Sequence, residues 1–181
     1  MCQPRGMLGP EEGEVRQHRT DVGNAKRLVS QHGQDIRYCP PWDKWLVWDG
    51  TRWLTDETGE VVRRAKDTAR LIYIEAAAAA EPEERKALAK WAARSEFESR
   101  LRAMISLAKS EPRIAVLPYE LDADPWLLNS RNGTIDLRSG ELRPHRREDL
   151  CTKHVPVEYD PNASCSVWNE FLGEIMGYDL P

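Results

Sequence analysis

The sequence predicts an α+β fold: central helices flanked by small antiparallel β-hairpins and a meander, with an amphipathic helix at the C-terminal end. Three observations carry this. Turn dipeptides of hairpin type, Asp49-Gly50, Asn132-Gly133 and Ser139-Gly140, punctuate short apolar stretches before and after the middle of the chain. Residues 60–109 are rich in helix formers and are broken only at Pro82, with Pro112 beyond them as a stop. Near the end, Trp168, Phe171, Leu172, Ile175 and Met176 recur at helical spacing.

Residues 1–19 are polar, contain no apolar stretch and no secretory signal, and are expected to be disordered. Asp21 is placed to cap a helix reaching about residue 30, with Val22, Ala25, Leu28 and Val29 as its apolar stripe and Gly33 at its end. Pro40-Pro41 breaks the chain. Residues 45–48 and 51–54 are expected to pair as a hairpin whose turn is Asp49-Gly50. After a turn at Thr58-Gly59, one helix is expected over about residues 60–80. A second starts at Pro82, favoured by Glu83 and Glu84 in its first turn, and runs to about residue 109 with a bend near Ser95. Residues 113–125 read as an acidic loop.

The meander follows. Asn132-Gly133 suits a type I′ turn, and Ile135 and Leu137 alternate with Thr134 and Asp136 as in a strand with one buried face. Val155 and Val157 suggest a further strand that ends at Asp160-Pro161-Asn162. The last helix closes the pattern.

The chain has 181 residues, 40% hydrophobic and 31% charged, as expected for one soluble domain with a core of its own. No apolar run is long enough to span a membrane. Cys2, Cys39, Cys151 and Cys165 are scattered without Cys-x-x-Cys spacing, which points to free thiols in a reducing cytoplasm. The net charge of −4 argues against a protein that coats DNA wholesale. The charge is unevenly spread: residues 60–110 and 126–154 are mildly basic, whereas 155–181 hold five acids and no Lys or Arg. Nucleic-acid contact beside an acidic, partner-facing end fits that pattern, as does an ordinary solvated surface.

No Gly-x-x-x-x-Gly-Lys-Ser/Thr loop and no Gly-x-Gly-x-x-Gly occurs, so no cofactor is expected in this chain and it should not hydrolyse ATP alone. Asp122 and Asp124 have the Asp-x-Asp spacing that can hold metal ions for nucleotidyl transfer, but a lone pair of this kind in a loop is more often a solvated turn. Cys151, His154 and Cys165 lack an obvious fourth ligand, which a structural zinc site requires, so no metal site is expected.

Four tryptophans crowd residues 42–53. A strand period of two cannot expose all of them; Trp45 and Trp53 are expected inside, leaving Trp42 as the candidate for stacking on single-stranded bases. The cationic candidates for phosphate contact are Arg63, Arg64, Lys66 and Arg70, continued by Arg94, Arg100, Arg102 and Lys109. Arg138, Arg143, Arg146 and Arg147 form a second group beside the meander. For the helical residues the competing role is a solvated face paired with local glutamates.

Three blocks of residues carry a resemblance. The first is Thr20-Asp21, Gly23-Asn24-Ala25, Arg27-Leu28-Val29, His32-Gly33 and Arg37-Tyr38, followed by Trp45, Trp48-Asp49-Gly50 and Trp53. The second is Leu127-Leu128-Asn129, Asn132-Gly133, Asp136-Leu137, Gly140, Leu142 and His145. The third is Tyr159-Asp160-Pro161, Ala163, Cys165, Trp168 and Phe171-Leu172. In this order they resemble the phage and plasmid primase-helicases, in the region similar to the N-terminal-like domain of the poxvirus primase-helicase that precedes a superfamily-three helicase ATPase.

The resemblance implies a DNA replication accessory domain over residues 20–165, with residues 166–181 as a helix leading toward an ATPase outside this chain. It implies a primase module and a helicase ATPase as partners, possible contact with single-stranded DNA, an oligomer in the full protein, and residence in a bacterial host's cytoplasm. ATP and magnesium are then expected only for the ATPase. Because the chain stops at Pro181, a fragment, a split gene product or an isolated domain is expected. Two alternatives stay open: a catalytic module for primer synthesis using Asp122, Asp124 and Asp136, and a purely structural oligomerisation domain.

Overall fold

The computed structural model describes residues 18–176. Residues 1–17 of the expected disordered start, and the last five residues of the expected terminal helix, lie outside it. The architecture is α+β, with five α-helices and two three-stranded antiparallel sheets among the described residues.

Helix α1 (Asp21–His32) is capped by Thr20 rather than Asp21. The Thr20 hydroxyl accepts the Gly23 N–H at 3.1 Å, satisfying one of the unpaired first-turn donors. Asp21, one residue inside, instead meets Arg100 at 2.6 Å. Ala25 and Leu28 are fully buried and Val29 packs beside them, but Val22 is exposed and lies off the stripe.

The first sheet is β1 (Ile36–Cys39), β2 (Lys44–Trp48) and β3 (Trp53–Thr55), paired in that order. Four residues, not two, join β2 to β3: Trp48 stands opposite Trp53, and the Asp49 carboxylate accepts the N–H groups of Thr51 and Arg52 at 2.7 and 2.8 Å. That aspartate side chain closes the loop locally, which makes a two-residue turn unnecessary. Strand β1 has no alternating pattern of its own, being buried at three of its four positions. Residues 113–125 are only partly loop, because Tyr38 donates to the Ile114 carbonyl and accepts from the Val116 N–H, adding a short parallel bridge to the open edge of β1.

Helix α2 (Glu60–Ala78) begins where Asp56 accepts the N–H groups of Glu60 and Val61. The single bent helix expected after Pro82 is two helices, α3 (Pro82–Ser95) and α4 (Glu98–Ala108), separated by extended backbone at Phe97. The break has a visible cause. Ser95 is fully buried and its hydroxyl accepts the Asn24 side-chain amide at 2.9 Å, while Trp91 donates to the other end of that amide. Polar ties to α1 fix the end of α3, and the chain must turn before α4 can pack along α1. Alanines at 65, 69, 92 and 108 let these helices approach closely.

The second sheet is β4 (Leu127–Ser130), β5 (Gly133–Asp136) and β6 (Glu141–Arg143). Its first turn is centred on Arg131-Asn132, one residue earlier than expected, because Ser130 stands opposite Gly133. Gly133 is needed for proximity: a Cβ there would lie 2.5 Å from the Arg143 carbonyl oxygen. The second turn uses Gly140 in the left-handed region, as its sequence suggests. Strand β5 is covered on both faces, since Thr134 is as buried as Ile135, and Leu137 falls beyond the strand.

The strand expected at Val155 and Val157 does not form. The segment runs beside β4, with the Val155 N–H on the Asn129 carbonyl and the Arg131 N–H on the Val157 carbonyl. These two bonds share no regular ladder register, and no further backbone bond joins the two segments. The chain then enters α5 (Ser166–Met176), whose large side chains are mostly exposed. No described helix is long and apolar enough to cross a membrane.

Candidate nucleic-acid interface

The cations on α2 separate into two sets by helical phase. Arg63, Lys66 and Arg70, spaced three and four residues apart, lie on one exposed face. Arg63 pairs with Glu60 at 2.8 Å and Arg70 with Asp67 at 3.3 Å, both within the helix. Arg63 also donates to the Thr58 carbonyl and hydroxyl, at 2.9 and 3.0 Å, whereas the exposed Arg70–Asp67 pair is worth little. Arg64 points elsewhere: it is largely buried and reaches Glu60 at 3.0 Å and Asp35 at 3.4 Å. Hydrogen bonds from Arg64 and Arg63 hold the Glu60 carboxyl below its ordinary value.

The group beside the meander divides similarly. Arg143 is bound bidentately by Asp149, at 2.7 and 2.8 Å, in a half-buried pair. Arg138 bridges Asp136 at 2.9 Å and Asp124 at 3.3 Å, and Arg146 is exposed. Arg147 crosses to the first sheet, meeting Asp35 at 2.6 Å and lying over the Trp48 ring, while its carbonyl accepts the Trp53 indole N–H. Asp35 therefore joins Arg64 and Arg147, one from each cationic group. Nothing in the sequence marks Asp35 for this; the contact to Arg147 spans 112 positions.

Of the tryptophans, Trp53 is 1% exposed and Trp45 is half-buried against the Tyr38 ring, whereas Trp42 is 47% exposed at the Pro40–Trp42 turn. That turn is braced from beneath. Tyr38 donates to Asp43 and Lys109 donates to both, and these bonds hold the Asp43 carboxyl low.

The carboxylates considered for catalysis are each engaged in structure. Asp122 accepts the Thr152 N–H and hydroxyl and the Lys153 N–H; burial pushes its carboxyl up, but these bonds outweigh it and lower the value overall. Asp124 accepts the Trp126 N–H and shares Arg138 with Asp136. Cys151 is buried, and that burial pushes its thiol up to about 11, far from a reactive thiolate, while Cys165 is exposed. Among the described residues no three His, Cys, Asp or Glu side chains gather as a metal site.

Asp122 is one of several clasps on residues 151–160, the strap leading to α5. The Asn129 amide donates to the carbonyls of Thr51 and Lys153, at 3.0 and 3.1 Å, linking the strap to the first hairpin. The Asn132 side chain donates to the Tyr159 carbonyl and accepts its N–H, as a strand neighbour would. Both asparagines belong to the second block of resembling residues, but the turn pattern alone concealed their partners, which lie 24 to 78 positions away.

Fold and surface thus define an α+β domain with cationic rows, a clasped strap and, in its sequence, no phosphate-binding loop. The model of the D5 N-terminal-like family matches residues 25–177, and the chain belongs to that family, whose members are primase-helicase-associated N-terminal domains. No curated protein matches the chain.

Proposed function

We propose that this chain is a replication accessory domain that couples a primase module to a helicase ATPase and touches single-stranded DNA between them. The observation that carries this is the family match over residues 25–177. The sequence lacks a phosphate-binding loop, which supports an accessory role; ATP and magnesium would serve the neighbouring ATPase. The exposed row of Arg63, Lys66 and Arg70 contributes phosphate contacts, and Trp42 offers a face on which a base stacks. Arg138 and Arg146 supply a secondary contact. Arg64, Arg143 and Arg147 serve chiefly to hold the domain together.

The test is fluorescence anisotropy with a labelled oligothymidine at low and raised salt. Binding should weaken with salt, with a log–log slope of roughly −0.7 for each phosphate neutralised. Lys66→Glu with Arg70→Glu should lower affinity and flatten that slope, and Trp42→Ala should lower affinity with the slope unchanged. A chain that binds no oligonucleotide at low salt abolishes the DNA contact and leaves only the coupling role.

A further inference from the structure

We propose that the cleft between the two hairpin tips binds a phosphomonoester, carried either by a free nucleotide or by the phosphorylated end of a strand. Gly50 of the β2–β3 loop, Asn132 of the β4–β5 turn, and Leu142, Arg143, Pro144 and His145 line this cleft. Its volume of about 440 Å³ is in the range of sites for whole small molecules rather than single ions.

Cations converge on the cleft from three segments far apart in sequence. Arg52, Arg131 and Arg146 each lie within two residues of a lining residue. Arg131 and Arg146 are exposed, and neither side chain has a hydrogen-bond or ion-pair partner among the described residues. Arg52 is held loosely, 3.8 Å from Asp49, whose carboxylate already accepts the N–H groups of Thr51 and Arg52. Arg143 differs, because Asp149 meets its charge in a bidentate pair. Like charges gathered without carboxylates repel one another until an anion joins them. The two free arginines match a phosphomonoester, whose charge at pH 7 is roughly −1.5 to −2, better than a singly charged diester.

The walls supply the rest. His145 places Nδ1 at 3.4 Å from the Thr134 hydroxyl, leaving Nε2 for a phosphate oxygen. Leu142 and Pro144 offer an apolar surface on which a base rests. Asn132 is bonded twice to Tyr159 and Arg143 twice to Asp149, so these walls are set before a ligand arrives and little ordering opposes binding. The inference is independent of the strand contact on α2 proposed above and shares only Arg146 with it.

The experiment is an amide NMR titration of the whole isotope-labelled chain. The titrants are thymidine monophosphate, thymidine, and an oligothymidine with either a phosphate or a hydroxyl at its 5′ end. For a free-nucleotide site, thymidine monophosphate should shift the Gly50, Asn132 and His145 amide signals saturably, and thymidine should leave them in place. For a strand-end site, the phosphorylated oligothymidine should shift the same signals at lower concentration than its hydroxyl form. Arg131→Gln with Arg146→Gln should weaken whichever binding occurs by roughly tenfold or more, through the loss of two charge-assisted contacts. Unchanged amide signals elsewhere in that variant would show that it folds. No phosphate-dependent shift at these three amides, or undiminished affinity in the double variant, overturns the proposal. A chain that binds the mononucleotide but no oligothymidine loses the strand contact and keeps this site.

Discussion

Strands β1–β3 and β4–β6 form sheets of identical order, yet the two are held by different forces. In the first, Ile36, Tyr38, Leu46 and Trp53 enter apolar clusters shared with the helices and with Val116 and Leu121. In the second, Ile135 is the one large hydrophobic residue buried, and Asn129, Ser130, Gly133 and Thr134 fill the other covered positions. Apolar burial is non-directional and spreads its effect through the domain. Side-chain amides bonded to distant backbone act at named points, and each buried one is costly to leave unmatched. The first sheet therefore belongs to the core, and the second works as a fastening for the strap that carries α5.

Four substitutions break or sharpen this contrast. Trp53→Ala should be the most damaging, removing a buried indole and its bond to Arg147, at a cost of about 3–5 kcal/mol. Urea unfolding should show the whole domain shifted in one transition. Asn129→Ala should cost about 1–3 kcal/mol, because the carbonyls of Thr51 and Lys153 lose their donor. Amide hydrogen exchange should rise first along residues 151–157; equal loosening of α1–α4 would contradict the division between core and fastening. Asn132→Ala should cost about 1 kcal/mol or less, with exchange confined to the neighbourhood of Tyr159.

Asp122→Asn should have the smallest effect at neutral pH, since the amide keeps an oxygen to accept from Thr152. Its signature is in acid. The Asp122 carboxyl is lowered in the fold, so its contribution is complete above the ordinary aspartate value, about 3.9, and is lost as pH falls through the lower folded value. Exchange at Thr152 and Lys153 should therefore accelerate on acidification in the wild type and lose that pH dependence at this site in the variant. An unchanged acid response would show that other carboxylates control the strap.

Much of the organisation was legible in the residues. Helical spacing placed α2 within a few positions of its ends, Gly140 marked its turn, and Trp53 fell inside and Trp42 outside, as expected. Other features were hidden for physical reasons. The break between α3 and α4 depends on Ser95 meeting Asn24, which lies 71 positions away, and helix propensity reports only local preference. The valines at 155 and 157 have strand-like spacing, but their two backbone bonds to β4 share no regular ladder register. The cationic clusters read as uniform groups; the structure divides them, aiming Arg64 and Arg147 at Asp35 and leaving Arg63, Lys66 and Arg70 in solvent.

By itself the sequence determined the fold class, the order of its pieces, the lack of a phosphate-binding loop and the family resemblance, because each is written in local spacing or in short motifs. Tertiary structure alone decided which asparagines clasp the strap, which arginines stay outside and how far the described α5 side chains are exposed. Those outcomes depend on which distant backbone carbonyls and carboxylates come within hydrogen-bonding reach, a property of the folded packing that no window of neighbouring residues contains.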